Sequence, residues 1–224
     1  MFAILTLAKG NAPQLTARPG KAGHMDELQE LKRRMKEERP VEWDSFPDLG
    51  LYMDQVLSYM PRQLIHLGET DTLTSAMVNN YIKEGLLPRA EGKKYSRVHI
   101  AYLTAICALK QVISVKEAHK LIEAGVQYGL AAEGLSTDCP SPDETARSLR
   151  HIYDYFRREL DQALTETADA LPDGAAECDL PKVALGLALR SYADQLACQR
   201  VLALLEERED PRKKRGADKG KERA

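Results

Sequence analysis

LTSAMVNNYIKEGLLPRAEGKKYSRVHIAYLTAICALKQVISVKEAHK, residues 73–120, reads as helix, turn, basic loop, helix, helix. Thr74 is placed to cap a helix whose apolar positions Met77, Val78, Tyr81 and Ile82 fall at helical spacing, with Leu73 set to staple onto Val78. Gly85 ends it where a left-handed residue is needed. Leu86, Leu87 and Pro88 lead into Arg89-Ala90-Glu91-Gly92-Lys93-Lys94, a short polar loop with Gly92 at the turn and three cations around it. Such a loop has the makings of a small wing. Beyond it, Ser96 caps a helix with Ile100, Leu103, Ile106, Cys107 and Leu109 inward. Ser114 and Glu117 then form a capping box for a helix with Ala118, Leu121, Ile122 and Val126 inward.

Tyr81, the Gly85-Leu86-Leu87-Pro88 string, Tyr95-Ser96 and Ser114-Val115-Lys116-Glu117 together resemble the winged-helix DNA-binding domain of MerR-type regulators. The flanking Leu51-Tyr52-Met53-Asp54-Gln55-Val56 and the Asn79-Asn80-Tyr81 core resemble more closely a bacterial family catalogued as a domain of unknown function, DUF1836. The likeness covers roughly residues 40–128. It implies an all-α, mainly helical fold: a MerR-like winged helix-turn-helix followed by a C-terminal helical hairpin or bundle. It also implies a DNA-binding transcriptional regulator. The chain departs from the MerR pattern at Asn79 and Asn80, where that family places Arg and Tyr, and in its shorter wing.

In such a protein the helix from Ser75 to Glu84 enters a major groove. There the Asn79 and Asn80 amides can pair with adenine edges and Tyr81 can reach backbone or base. Arg89, Lys93, Lys94 and Arg97 are the candidate phosphate contacts, and Lys83 is a further candidate DNA-binding residue. The expected partner is double-stranded DNA.

The remaining chain is ordered around this segment. Its 224 residues suit one moderate domain or two small ones. The formal net charge of −2 hides an uneven distribution. Cations outnumber anions between Thr74 and Tyr128, anions dominate from Ala131 to Asp210, and the end is basic again. Residues 1–24, with scattered Gly and Pro, are expected to be a flexible extension, and Met25 is an alternative start. Residues 25–128 are expected to hold the winged-helix domain with a preceding helix whose stripe is Leu28, Leu31 and Met35. Trp43 and Phe46 sit in a loop that packs its aromatics on this domain, and Pro61 should kink or split the next helix.

Residues 129–140 read as a linker and 141–209 as a helical hairpin. Its first helix opens with the Ser141-Pro142-Asp143-Glu144 cap and carries Leu149, Tyr153, Phe156, Leu160 and Ala163 on a coiled-coil-like seam. The second runs from about Pro181 to Glu209. Residues 211–224 read as a basic disordered tail. The hairpin admits two readings, a homodimer through the C-terminal helices or a small ligand-binding or partner-binding bundle.

Cys107, Cys139, Cys178 and Cys198 lie far apart, so neither a metal nor a redox pair is expected of them. They fit reduced cysteines in a cytoplasmic protein. His99 and His119 have no paired ligand at helical spacing. No nucleophile elbow, phosphate loop or zinc-hydrolase helix is present, which argues against an enzyme and against a cofactor. No segment is apolar for long enough to span a membrane. The rival to a DNA-binding regulator is a protein-interaction or dimerisation module that keeps the winged-helix fold without DNA binding.

Overall fold

The computed structural model describes residues 21–66, 72–138, 140–173 and 179–209. Among these residues there are seven α-helices and no strand, and the fold is all-α. In chain order they are α1 (Lys21–Glu37), α2 (Met53–Tyr59), α3 (Ser75–Lys83), α4 (Arg97–Leu109), α5 (Val115–Ala132), α6 (Pro142–Ala170) and α7 (Leu180–Glu209). Short 3-10 turns follow at Trp43–Ser45 and Met60–Arg62. Pro61 stands in the second, so the apolar run expected as one helix is split after Tyr59. Helix α1 begins at Lys21, earlier than Met25. The expected tail at 211–224 and the extension up to residue 20 lie outside the described residues, as do Cys139 and Cys178.

Capping fixes the helix starts. The Thr74 hydroxyl accepts the Met77 N–H at 3.2 Å, and Ser114 and Ser141 each form a reciprocal box with Glu117 and Glu144. Helix α3 ends at Gly85, whose φ of 73° lets Leu86 N–H turn back to the Tyr81 carbonyl at 2.8 Å.

Helix α4 is the axis of the molecule. His99 to Cys107 are all buried, so this helix is enclosed on every side and not on one stripe. Around it a single cluster joins Val56 and Met60, Val78 and Tyr81, Ile122 and Val126, and Leu149 and Tyr153 of α6. The first part of α6 is therefore continuous with the core built around α4. Tyr153 makes the junction: its ring packs on Trp43 and Phe46 with centroids 6.1 Å and 5.2 Å away, and its hydroxyl donates to the Val41 carbonyl at 2.8 Å. The loop aromatics pack as their sequence suggests.

The rest of α6 is covered by α1, not paired with α7 as a hairpin. Arg39 ion-pairs with Asp161 and donates to Thr165, and Lys32 donates to the Leu171 carbonyl at 3.0 Å. Ala163, expected on the seam, is exposed; Leu164 and Ala168 face inward instead. An undistorted helix repeats every 3.6 residues, so an inward face drifts off a 3.5-residue seam within two heptads. Helix α7 touches the body near its two ends. Leu180, Val183 and Leu187 share an apolar cleft with Leu31, Met35 and Leu164, and Leu202 and Leu205 meet Leu121 and Ala124 of α5. No helix among the described residues is long and apolar enough to cross a membrane.

Candidate nucleic-acid interface

Helix α3 has two chemically different faces. Val78 and Tyr81 are buried, whereas Ser75, Ala76, Asn79, Asn80 and Lys83 are exposed together on the opposite side. Tyr81, at 6% exposure, is a core residue, and its ring does not lie on the outer face. The exposed polar face is carried by Asn79, Asn80 and Lys83. The Asn80 amide nitrogen donates to Glu84 Oε1 at 3.1 Å, which leaves Asn79 the amide with no such partner on its own helix.

The loop after α3 is a minimal hairpin. Glu91 and Lys94 form an antiparallel bridge, with Lys94 N–H donating to the Glu91 carbonyl at 2.9 Å. The two residues between them, Gly92 and Lys93, both have positive φ, 55° and 66°. That pair of left-handed residues is the signature of a type I′ turn, whose twist matches the flanking backbone. Glycine takes this conformation freely, but lysine is strained by its Cβ, at a cost of roughly 1–2 kcal/mol. Lys93 is the sole non-glycine residue with positive φ among the described residues.

The hairpin is anchored at both sides. Leu51 and Tyr95 exchange backbone hydrogen bonds of 2.9 Å and 2.8 Å, tying the segment before α2 to its outgoing arm. Lys94 Nζ lies 5.8 Å over the Tyr52 ring, and Arg97 ion-pairs with Asp48. Inside, His99 is 5% exposed and stands edge-on to Tyr95 at 5.4 Å. Its Nδ1 accepts the Ser96 N–H at 3.0 Å. Burial lowers the His99 pKa below 6.5, against the opposing pull of the Arg89 and Pro88 carbonyls and of Glu91. The neutral ring, protonated on Nε2, is the form this contact requires.

The expected site residues therefore divide by what already occupies them. Lys83, Arg89 and Lys93 are exposed and have no ion-pair partner among the described residues. Lys94 and Arg97 are engaged with Tyr52 and Asp48, and so act partly in holding the hairpin. Sequence reasoning missed His99 as the internal support and Asp48 and Tyr52 as anchors. The available signal was position: His99 stands third after Ser96, where a capping box normally places Glu or Gln. Among the described residues no three His, Cys, Asp or Glu side chains are grouped to hold a metal ion, and neither Cys107 nor Cys198 is in a disulfide.

The model of the family described as a domain of unknown function (DUF1836) matches residues 41–156, and the chain belongs to this family. The match begins where the backbone meets Tyr153 and ends on α6, so it spans the continuous core and the hairpin and leaves out α1 and α7. No curated protein and no solved structure matches the chain.

Proposed function

We propose that this protein is a DNA-binding transcriptional regulator in which α3 lies in the major groove and the Glu91–Lys94 hairpin acts as a short wing on the phosphate backbone. Lys93 carries the reading. A type I′ turn favours glycine or asparagine at this place, and strained residues that persist against such a preference concentrate at functional sites. An exposed cation held there at an energetic cost fits a role in touching an anionic partner. Asn79, Asn80 and Lys83 beside it supply amide donors and acceptors suited to base edges, with a cation for the backbone. The MerR-like arrangement is part of the same proposal.

Helix α7 supports a second element, a homodimer. Leu185, Leu189, Tyr192 and Leu196 are 61%, 58%, 61% and 50% exposed, and they recur at steps of four, three and four. That spacing is a coiled-coil seam, and it lies on the opposite side of the helix from Leu180, Val183, Leu187 and Leu205, which meet the body. The step pattern reads alike in both directions, so an antiparallel two-fold pair would oppose Leu185 to Leu196 and Leu189 to Tyr192. The rival, a protein-interaction module without DNA binding, would use the same seam for a different protein.

The experiment that tests the reading is a mobility-shift titration of the full chain with DNA from its own upstream region, across a salt series. Salt-sensitive binding supports a DNA-binding regulator. Absence of binding at low salt, with the protein folded and self-associated, favours the interaction module.

A further inference from the structure

A cavity of about 600 Å³ lies between α1, the 3-10 turn after α2, the end of α4 and α6, away from α3, the hairpin and the exposed seam of α7. Its size is that of small-molecule sites, which run from about 300 to 1,000 Å³. Leu64, Cys107, Leu160 and Leu164 give it apolar walls, and Arg34, Glu38 and Arg39 are among its charged ones.

Those charges are already spent. Arg34 holds Glu38 and donates to the His66 carbonyl at 3.2 Å, and Arg39 is taken by Asp161, Thr165 and the Met35 carbonyl. Glu37, also on the wall, is held by Arg33. Arg62 and Gln63 have donor capacity left. Arg62 is exposed and has no ion-pair partner among the described residues. Gln63 is 1% exposed; its carbonyl accepts the Val41 N–H at 3.2 Å, while its amide nitrogen has no hydrogen-bond partner. The Tyr59 phenol senses that amide but is not in hydrogen-bonding geometry with it. A buried donor without an acceptor is rare in folded proteins, and it marks a place where an acceptor is missing.

We infer that this cavity binds a small amphipathic carboxylate, its apolar body against Leu64, Leu160 and Leu164 and its acid group at Arg62 and the Gln63 amide. An anion fits because Arg62 and the Gln63 amide both donate, and a monoanion fits because Arg62 is the one Arg or Lys of the wall with no ion-pair partner among the described residues. The occupant would bridge α1 and α6 to residues 62–66, the segment that leads toward α3. That placement makes it an effector site. The regulatory consequence rests on the DNA-binding reading, and ligand binding itself does not.

The test is calorimetric titration of the full chain, without DNA, using octanoate as the probe and 1-octanol and octylamine as its uncharged and cationic counterparts. Octanoate should bind one to one and more tightly than either counterpart. Arg62→Ala, an exposed change that leaves the core intact, should weaken octanoate at least about tenfold and leave octanol within about twofold, since it removes one charge-assisted pair. Ala108→Phe, which fills the cavity, should abolish binding of all three in protein whose melting is cooperative. Equal binding of octanoate and octylamine, octanoate binding that ignores Arg62→Ala, or no octanoate binding at all overturns the proposal. A mobility shift with and without octanoate then reads the coupling. Binding by calorimetry with an unaltered shift rejects the effector role alone, and no shift under either condition rejects the DNA reading while the site stands.

Discussion

Lys93→Gly should make this protein more stable and a poorer binder of DNA. At a φ of 66° the lysine Cβ crowds the following carbonyl, a strain of roughly 1–2 kcal/mol that glycine lacks. Glycine returns about 0.5–1 kcal/mol of that through the greater freedom of the unfolded chain, leaving a net gain near 0.5–1 kcal/mol. For a chain of this size that corresponds to a rise in Tm of about 1–4 °C. On DNA the same change removes one phosphate contact. The salt slope should flatten by about 0.9, which at about 0.1 M salt is close to an eightfold loss of affinity for every sequence alike. Scanning calorimetry and fluorescence anisotropy on one preparation read both quantities. Lys93→Asn, uncharged but tolerant of left-handed backbone, should lose the same affinity, and Lys93→Arg should keep it. A lower melting temperature for Lys93→Gly would refute the turn geometry, and a higher one with unchanged DNA affinity would refute the role of the hairpin.

The sign of Gly129→Ala should depend on residue 148: its Cβ would stand 2.4 Å from Ser148 Oγ, which is buried and bonded to the Val126 carbonyl at 2.7 Å. Alone it should cost about 1 kcal/mol, overpacking outweighing helix propensity, but in a Ser148→Ala background it should stabilise by up to about 1 kcal/mol, as urea unfolding of the four variants would show. His99 titrates against the fold: its folded pKa lies below 6.5, so stability is complete above that value and falls as pH drops from 6.5 toward the folded pKa, by at most about 1.4 kcal/mol per pH unit. Denaturant midpoints of His99→Gln between pH 7 and pH 5 should lack that decline. Alanine at Asn79 or Asn80 should leave melting unchanged or raise it by a few tenths of a kcal/mol. Selection from a random pool should relax at one adenine by roughly 1–3 kcal/mol, and early melting with unaltered selection would make these asparagines structural. Leu189→Glu should abolish concentration-dependent dimerisation in analytical ultracentrifugation while the single chain still unfolds cooperatively, because Leu189 is 58% exposed in it.

Local signals carried most of the helical architecture. Thr74, Ser114 and Ser141 start their helices because each offers an oxygen to a free N–H, a choice settled within four residues. Gly85 stops α3 for an equally local reason. What lay beyond reach was pairing between distant parts. Leu149 and Tyr153 read as a seam toward α7, whereas they complete the core around Trp43 and Phe46, a contact across more than a hundred residues that no period reveals. Likewise α1 reads as an amphipathic helix without stating that α6 is its cover. In the site, Asn79, Asn80, Lys83, Arg89 and Lys93 were legible as polar residues at outward positions. Tyr81 was not, because an aromatic on a boundary position suits the core and a groove equally until its neighbours are known. Lys93 was named for its charge, but its left-handed backbone became visible only once Glu91 and Lys94 were seen to pair.

The most direct measurement of DNA binding by α3 and the hairpin is the salt dependence of duplex affinity for the parent chain and for Lys93→Ala/Lys94→Ala. The parent should bind with a steep slope, and the double variant should lose affinity for all sequences alike with a slope flatter by up to about two units. An identical slope for the two proteins, or no affinity of the folded parent for duplex DNA at low salt, would contradict it.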